Sequence, residues 1–137
     1  EIDNIVGVKE CNLGQVADVR NLCGDDFAIY SGDDNITLPL LSLGGIGVIS
    51  VMANIIPKDT RDLVHKFFEG DIEGSRNLQL KCNNLISALF IEVNPIPIKT
   101  AMNLMGMNVG KCRLPLTDMD ESNLAVLKKA LKEYGLL

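Results

Sequence analysis

Three short strand-like runs, Ile5-Val6-Gly7-Val8-Lys9, Phe27-Ala28-Ile29-Tyr30-Ser31 and Gly47-Val48-Ile49-Ser50-Val51, alternate with helical patterns and are then not repeated. This spacing predicts parallel strands, because a parallel pair needs a crossover connection that is usually a helix. Three such strands are a poor structure by themselves: a parallel sheet needs both faces covered and its edges closed or paired. A complete (β/α)₈ barrel takes about 250 residues, so a chain of 137 residues could supply only part of one. The pattern begins in the middle of something.

The helical patterns are bounded by ordinary stop and start residues. One stripe runs through Leu13, Val16, Val19 and Leu22 and ends near Gly24. A second carries Ile36, Leu38, Leu40, Leu41 and Leu43 up to Gly44-Gly45, and a third starts at Pro57 and stops at Gly70. Beyond Gly70 the strands cease. A long stripe through Leu78, Cys82, Leu85, Ile86 and Leu89 predicts a helix over 72–90, Asn94-Pro95-Ile96-Pro97 breaks the chain, and another helix lies around 97–105. Asp120-Glu121-Ser122 starts a last amphipathic helix, whose Lys128, Lys129 and Lys132 favour its C-terminal half, as the helix dipole prefers. The methionines Met102, Met105 and Met107 read as packing residues.

Composition removes several classes of function. The net charge is −5 with no basic run, whereas nucleic-acid binding requires clustered lysine and arginine. Gly, Asn and charged residues interrupt every apolar run before it reaches membrane-spanning length. No signal-peptide pattern is visible, and the chain opens on Glu1 in place of a methionine, so a natural translation start is not expected there. The four cysteines, Cys11, Cys23, Cys82 and Cys112, contain no CxxC pair and no zinc-site spacing, which points to free thiols in a reducing, cytoplasmic setting. His65 is the single histidine and sits in a helical pattern, so neither a histidine-based triad nor a multi-histidine metal site is expected.

The chemically informative residue is Lys9. A charged amine at the end of a buried-looking strand is costly unless it is paired, solvated or made neutral for chemistry. On a parallel sheet the three strand ends gather on one face, where the active sites of such folds lie. Lys9 is therefore a candidate Schiff-base nucleophile, the alternative being a structural lysine snorkelling to the rim. Ser31-Gly32-Asp33-Asp34 ends the next strand and reads locally as a turn with a helix cap. Gly44-Gly45-Ile46-Gly47 precedes a strand instead of following one, so the dinucleotide fingerprint fails and these are turn glycines.

Taken in order, IVGVKE, YSGDD, GGIGVISV, NPIPIK and the ending LKKALKEYGLL resemble the dihydrodipicolinate synthases, class I pyruvate-dependent aldolases of lysine and diaminopimelate biosynthesis. The resemblance covers essentially the whole chain. It implies an α/β fold in which residues 1–70 are strands six to eight of a TIM barrel with their helices. Residues 71–137 are then a C-terminal helical extension, and the preceding part of the barrel is missing. It implies that Lys9 forms the Schiff base with pyruvate, the enamine then attacking aspartate semialdehyde. Gly32, Asp33 and Ile49 are implied to lie at the bound substrates. No cofactor and no metal are called for, and the intact protein is expected to be a homo-oligomer, a tetramer or a dimer.

The resemblance also places the proton relay of tyrosines and a threonine on earlier strands; Tyr30 and Tyr134 do not match those positions. Side-chain proton transfer contributes about 10²–10⁴-fold, so Lys9 alone is expected to be a poor catalyst. Asn94–Lys99 reads as a structural signature, with prolines fixing an extended turn before a helix. After Lys9-Glu10 the family commonly has alanine, a small hydroxyl residue and glycine; here Cys11-Asn12-Leu13-Gly14 follows, with Cys11 read as a small buried filler. Two other readings stay open: a sister aldolase such as an N-acetylneuraminate lyase, or a non-catalytic module whose open sheet edges pair with itself or with a missing half barrel.

Overall fold

The computed structural model describes residues 2–137. In chain order these form β1 (Gly7–Glu10), α1 (Leu13–Cys23), β2 (Ala28–Ser31), α2 (Thr37–Ser42), β3 (Gly47–Val48), α3 (Pro57–Phe68), α4 (Ile72–Leu89), α5 (Ile96–Leu104) and α6 (Glu121–Tyr134). Two 3₁₀ turns, Asp34–Ile36 and Met52–Asn54, follow β2 and β3. The strands make one parallel sheet in the order β1-β2-β3, with Lys9 opposite Tyr30 and Tyr30 opposite Gly47. The expected mixed α/β fold with a short parallel sheet is thus present. No helix among the described residues is long and apolar enough to cross a membrane.

Local chemistry sets the helix ends. The Asn12 side chain accepts the Gly14 N–H at the start of α1, and Gly24, at φ +80°, ends the helix by donating to the Arg20 carbonyl. Asp120 caps α6 in the same way through Ser122, and Gly135 in the left-handed region closes it. The strands deviate more from expectation. β1 begins two residues late, and the third run contributes only Gly47 and Val48 to the sheet. β3 has a partner on one side alone, so its extent is set by the β2 residues that reach it. Leu22, expected on the buried stripe of α1, is 87% exposed.

Two apolar clusters hold the elements together. A small one, Val16, Ile29 and Leu40, joins α1 and α2 to one face of the sheet. The larger one draws Leu41, Met52, Ile55 and Leu63 from the first half and Ile86, Leu89, Leu127 and Leu131 from the second, with α4 packed between α3 and α6. At the end of the sheet away from Lys9, the Arg20 guanidinium donates to the carbonyls of Gly24, Asp25, Phe27 and Gly44, satisfying the turns that enter β2 and β3.

A polar strap ties the last helix to the rest. Asp59 on α3 accepts from Lys81 Nζ on α4 at 2.7 Å and from the Tyr134 hydroxyl on α6. The Lys81 ammonium also lies 4.7 Å from the Tyr134 ring centre. The hydrogen bond from Lys81, followed by that from Tyr134, holds the Asp59 carboxyl below the usual carboxylate range. Burial and the bond to Asp59 push the Tyr134 hydroxyl up. A carboxyl with a depressed folded pKa stabilises above its unfolded value, about 4, and loses that contribution as pH falls through the folded one. Asp59→Asn should therefore cost about 1 kcal/mol at pH 7, discounted for the exposed lysine. The gap to the unsubstituted chain should close below about pH 4. Urea titrations of both chains at the two pH values check this; a constant gap would contradict it.

Candidate functional site

The C-terminal ends of β1 and β3 open onto a cleft of about 330 Å³ whose opposite wall comes from the start of α5. Lys9, Ile49 and Ser50 line the sheet side, and Asn94, Pro95 and Lys99 are among the residues of the other. The strand alternation explains the placement. Ile29 and Ser31 of β2 are turned inward and fully buried, while Tyr30 and its register partner Lys9 are exposed on the other face. In this chain the Lys9 side chain is exposed, the solvated case among those the sequence leaves open. The ion pairs among the described residues all use other cations.

Gly32 is held against Lys9 by the extended ladder, its N–H donating to the Glu10 carbonyl at 2.8 Å. A Cβ on Gly32 would stand 2.8 Å from Lys9 Cε and 2.9 Å from Lys9 Cγ, and would overlap the Cys11 sulfur. The lysine stem therefore lies flat on a bare backbone, a close approach that only glycine permits. Cys11 is exposed beside it, which corrects the expectation of a buried filler. Ile49, 52% exposed, continues the same ladder by donating its N–H to the Ser31 carbonyl at 2.8 Å and stands in the cleft wall.

The structure thus brings Lys9, Gly32 and Ile49 together. Asp33 sits apart from them chemically: its carboxylate accepts the Asn35 N–H at 2.9 Å and caps the 3₁₀ turn, as the turn-and-cap reading of SGDD predicts. Its neighbour Asp34 is the residue that sequence reasoning missed. Asp34 is 1% exposed, and its Oδ2 accepts the N–H groups of Met52 at 2.9 Å and Val51 at 3.0 Å. Burial pushes its carboxyl up, against the Met52 and Val51 N–H groups that pull it down, while Oδ1 has no partner. Asn94 and Lys99, from a run that reads as mainly structural, both line the cleft that Lys9 enters. Their signal in the sequence is the NPIPIK run itself, whose prolines by themselves specify backbone shape.

A solvated amine at a strand end, bordered by a glycine and a partly apolar wall, can add to a small carbonyl compound that fits the cleft. Comparison with known proteins points the same way. The profile of the dihydrodipicolinate synthetase family matches residues 1–134. A 4-hydroxy-tetrahydrodipicolinate synthase of Acetivibrio thermocellus is 63% identical over 137 residues, covering all of this chain and 47% of the relative. Among solved structures, dihydrodipicolinate synthase from Aquifex aeolicus superposes with a TM-score of 0.94 at 40% identity, over 99% of this chain and 47% of the other. The chloride-inhibited enzyme from Acinetobacter baumannii, complexed with pyruvate, gives 0.92 at 37% identity, over 100% and 48%. The chain spans about half the length of the curated relatives it matches.

Proposed function

This chain belongs to the dihydrodipicolinate synthetase family, and from that premise we propose that it is the C-terminal portion of a pyruvate-dependent aldolase. Residues 1–70 then contribute the last strands of a TIM barrel, and residues 71–137 its helical extension. The intact protein condenses pyruvate with aspartate semialdehyde, works as a homo-oligomer, and takes its remaining strands and proton-relay side chains from the other half of the barrel.

The observation that carries this reading is the placement of Lys9, a solvated amine lying on Gly32 at the mouth of the cleft. In the reaction the neutral amine adds to the ketone carbon of pyruvate, and the carbinolamine loses water to leave a protonated imine. That imine accepts the electron pair of a methyl C–H bond as a base of the proton relay takes the proton. The resulting enamine carbon then attacks the aldehyde of the second substrate, whose oxygen takes up a proton from the same relay. Gly32 leaves room for the adduct, Ile49 supports its apolar methyl end, and Asp33 holds the turn that carries Gly32 in place.

Borohydride reduction of the 137-residue chain in the presence of pyruvate, followed by peptide mapping, tests the assignment. The expected result is a single reduced pyruvyl adduct on Lys9 that is absent in Lys9→Arg, because a guanidinium stays protonated and cannot add to the ketone. Labelling that survives in Lys9→Arg, or labelling spread over the surface lysines, would refute the assignment.

A further inference from the structure

We propose that Asp34 is a positioning residue for the cleft: its buried carboxylate, by accepting the Val51 and Met52 amide hydrogens, sets where the Ile49–Val51 wall stands relative to Lys9. The inference rests on the reading of Lys9 as the pyruvate nucleophile.

The geometry is a relay between three elements. Asp34 begins the 3₁₀ turn two residues after Gly32, the residue on which the Lys9 stem lies. Its main chain is anchored from α4: Gln79 donates from Nε2 to the Asp34 carbonyl at 3.0 Å and accepts the Leu38 N–H at 3.2 Å. The Thr37 hydroxyl donates to the same carbonyl at 3.1 Å. The Asp34 side chain then reaches across to the segment after β3, where Oδ2 takes the N–H groups of Val51 and Met52. Ser50, a cleft-lining residue between Ile49 and Val51, accepts the Ala53 N–H through its hydroxyl oxygen at 2.9 Å and so braces the same turn.

This arrangement is costly in the way functional sites are. The ion pairs among the described residues leave Asp34 without a cation, and Oδ1 is buried with nothing to accept from. A residue serving packing alone would not need a charge there, since an apolar side chain avoids the desolvation cost. What the carboxylate supplies is a fixed acceptor for two otherwise unpaired amides at the point where β3 gives way to the cleft wall.

The experiment compares Asp34→Ala, which removes the acceptor, with Asp34→Asn, whose amide oxygen still reaches both N–H groups. Three quantities are read on the full chain: amide hydrogen exchange, the Ile49 methyl resonance, and the pyruvate dependence of borohydride trapping at Lys9. In Asp34→Ala the Val51 and Met52 amides should exchange faster by about tenfold or more, with the α4 and α6 core amides unchanged. The Ile49 methyl resonance should shift. Half-saturation for pyruvate should rise by about tenfold while the plateau trapping rate is kept. Asp34→Asn should restore all three, which a merely structural loss of packing would not do. Unchanged exchange at Val51 and Met52, faster exchange with unaltered half-saturation and methyl shift, or failure of Asp34→Asn to restore the three readouts would overturn the inference. Should Asp34→Ala not fold, Asp34→Ser, too short to reach both amides, takes its place. Absence of any adduct in the unsubstituted chain would show that Lys9 does not react in this chain by itself, leaving the aldolase reading to the intact protein, and the Ile49 methyl resonance would then decide the role of Asp34 by itself.

Discussion

Leu127→Ala should destabilise the chain by roughly 3 kcal/mol, within the range found for leucine truncations in rigid cores. Leu127 is 0% exposed on α6 and belongs to the cluster with Ile86, Leu89 and Leu131, where α6 packs on α4. Neither helix can close the gap easily, because α4 is held from its other side by α3 and α6 is tied by the Tyr134–Asp59 bond. The loss is therefore transfer free energy plus an unfilled cavity. Val126, the adjacent residue on the same helix, is 47% exposed, and Val126→Ala should change stability by only about 0.5 kcal/mol. Urea midpoints of the two variants measure the contrast. Equal small effects would mean that the helical half is not the main source of stability. Because α5, which brings Asn94 and Lys99 to the cleft, packs against both α4 and α6, the Leu127 variant should also weaken pyruvate trapping at Lys9.

What could be read from the sequence follows the range of the interactions involved. Helix ends were legible because their causes are local: Pro57 at the first turn of α3, Gly24 after α1, Asp120 before α6. The stripe of α4 was legible because Cys82, Leu85, Ile86 and Leu89 repeat at helical spacing, and all are buried. The length of β3 was not, since a strand ends where its neighbour stops pairing, and that neighbour is remote in sequence. The two aspartates after Gly32 are chemically identical to a local reading. Which one turns inward is decided by the amides of Val51 and Met52, 17 and 18 residues further on. Lys9 is legible by residue type, position and resemblance, but its exposure is not. A run of apolar letters does not say which face of the sheet a side chain takes, and the alternation sends Val8 toward the core and Lys9 away from it. Asn94 and Lys99 escaped for the same reason as Asp34: their chemistry depends on what α5 faces.

Gly32→Val should slow pyruvate trapping at Lys9 by about a hundredfold or more, the scale expected when a reacting group is displaced by about an ångström. Gly32 is not held at positive φ, so the effect of a side chain there should be steric and confined to the site. The place of its Cβ is already taken, by the Lys9 stem on one side and the Cys11 sulfur on the other. The two neighbours can be separated. In Gly32→Ala the new methyl group meets both, whereas in Gly32→Ala with Cys11→Ala the sulfur is gone and only the lysine remains in its way. If Lys9 is the side chain forced to move, the double variant traps pyruvate as slowly as Gly32→Ala. If the exposed cysteine moves instead, removing it restores the rate. Urea midpoints should stay near that of the unsubstituted chain throughout, because the overlap is with side chains that can swing into the cleft rather than with buried backbone. A Gly32→Val chain that traps pyruvate at the unsubstituted rate would mean that the contact between Lys9 and Gly32 does not define the reactive position of the amine.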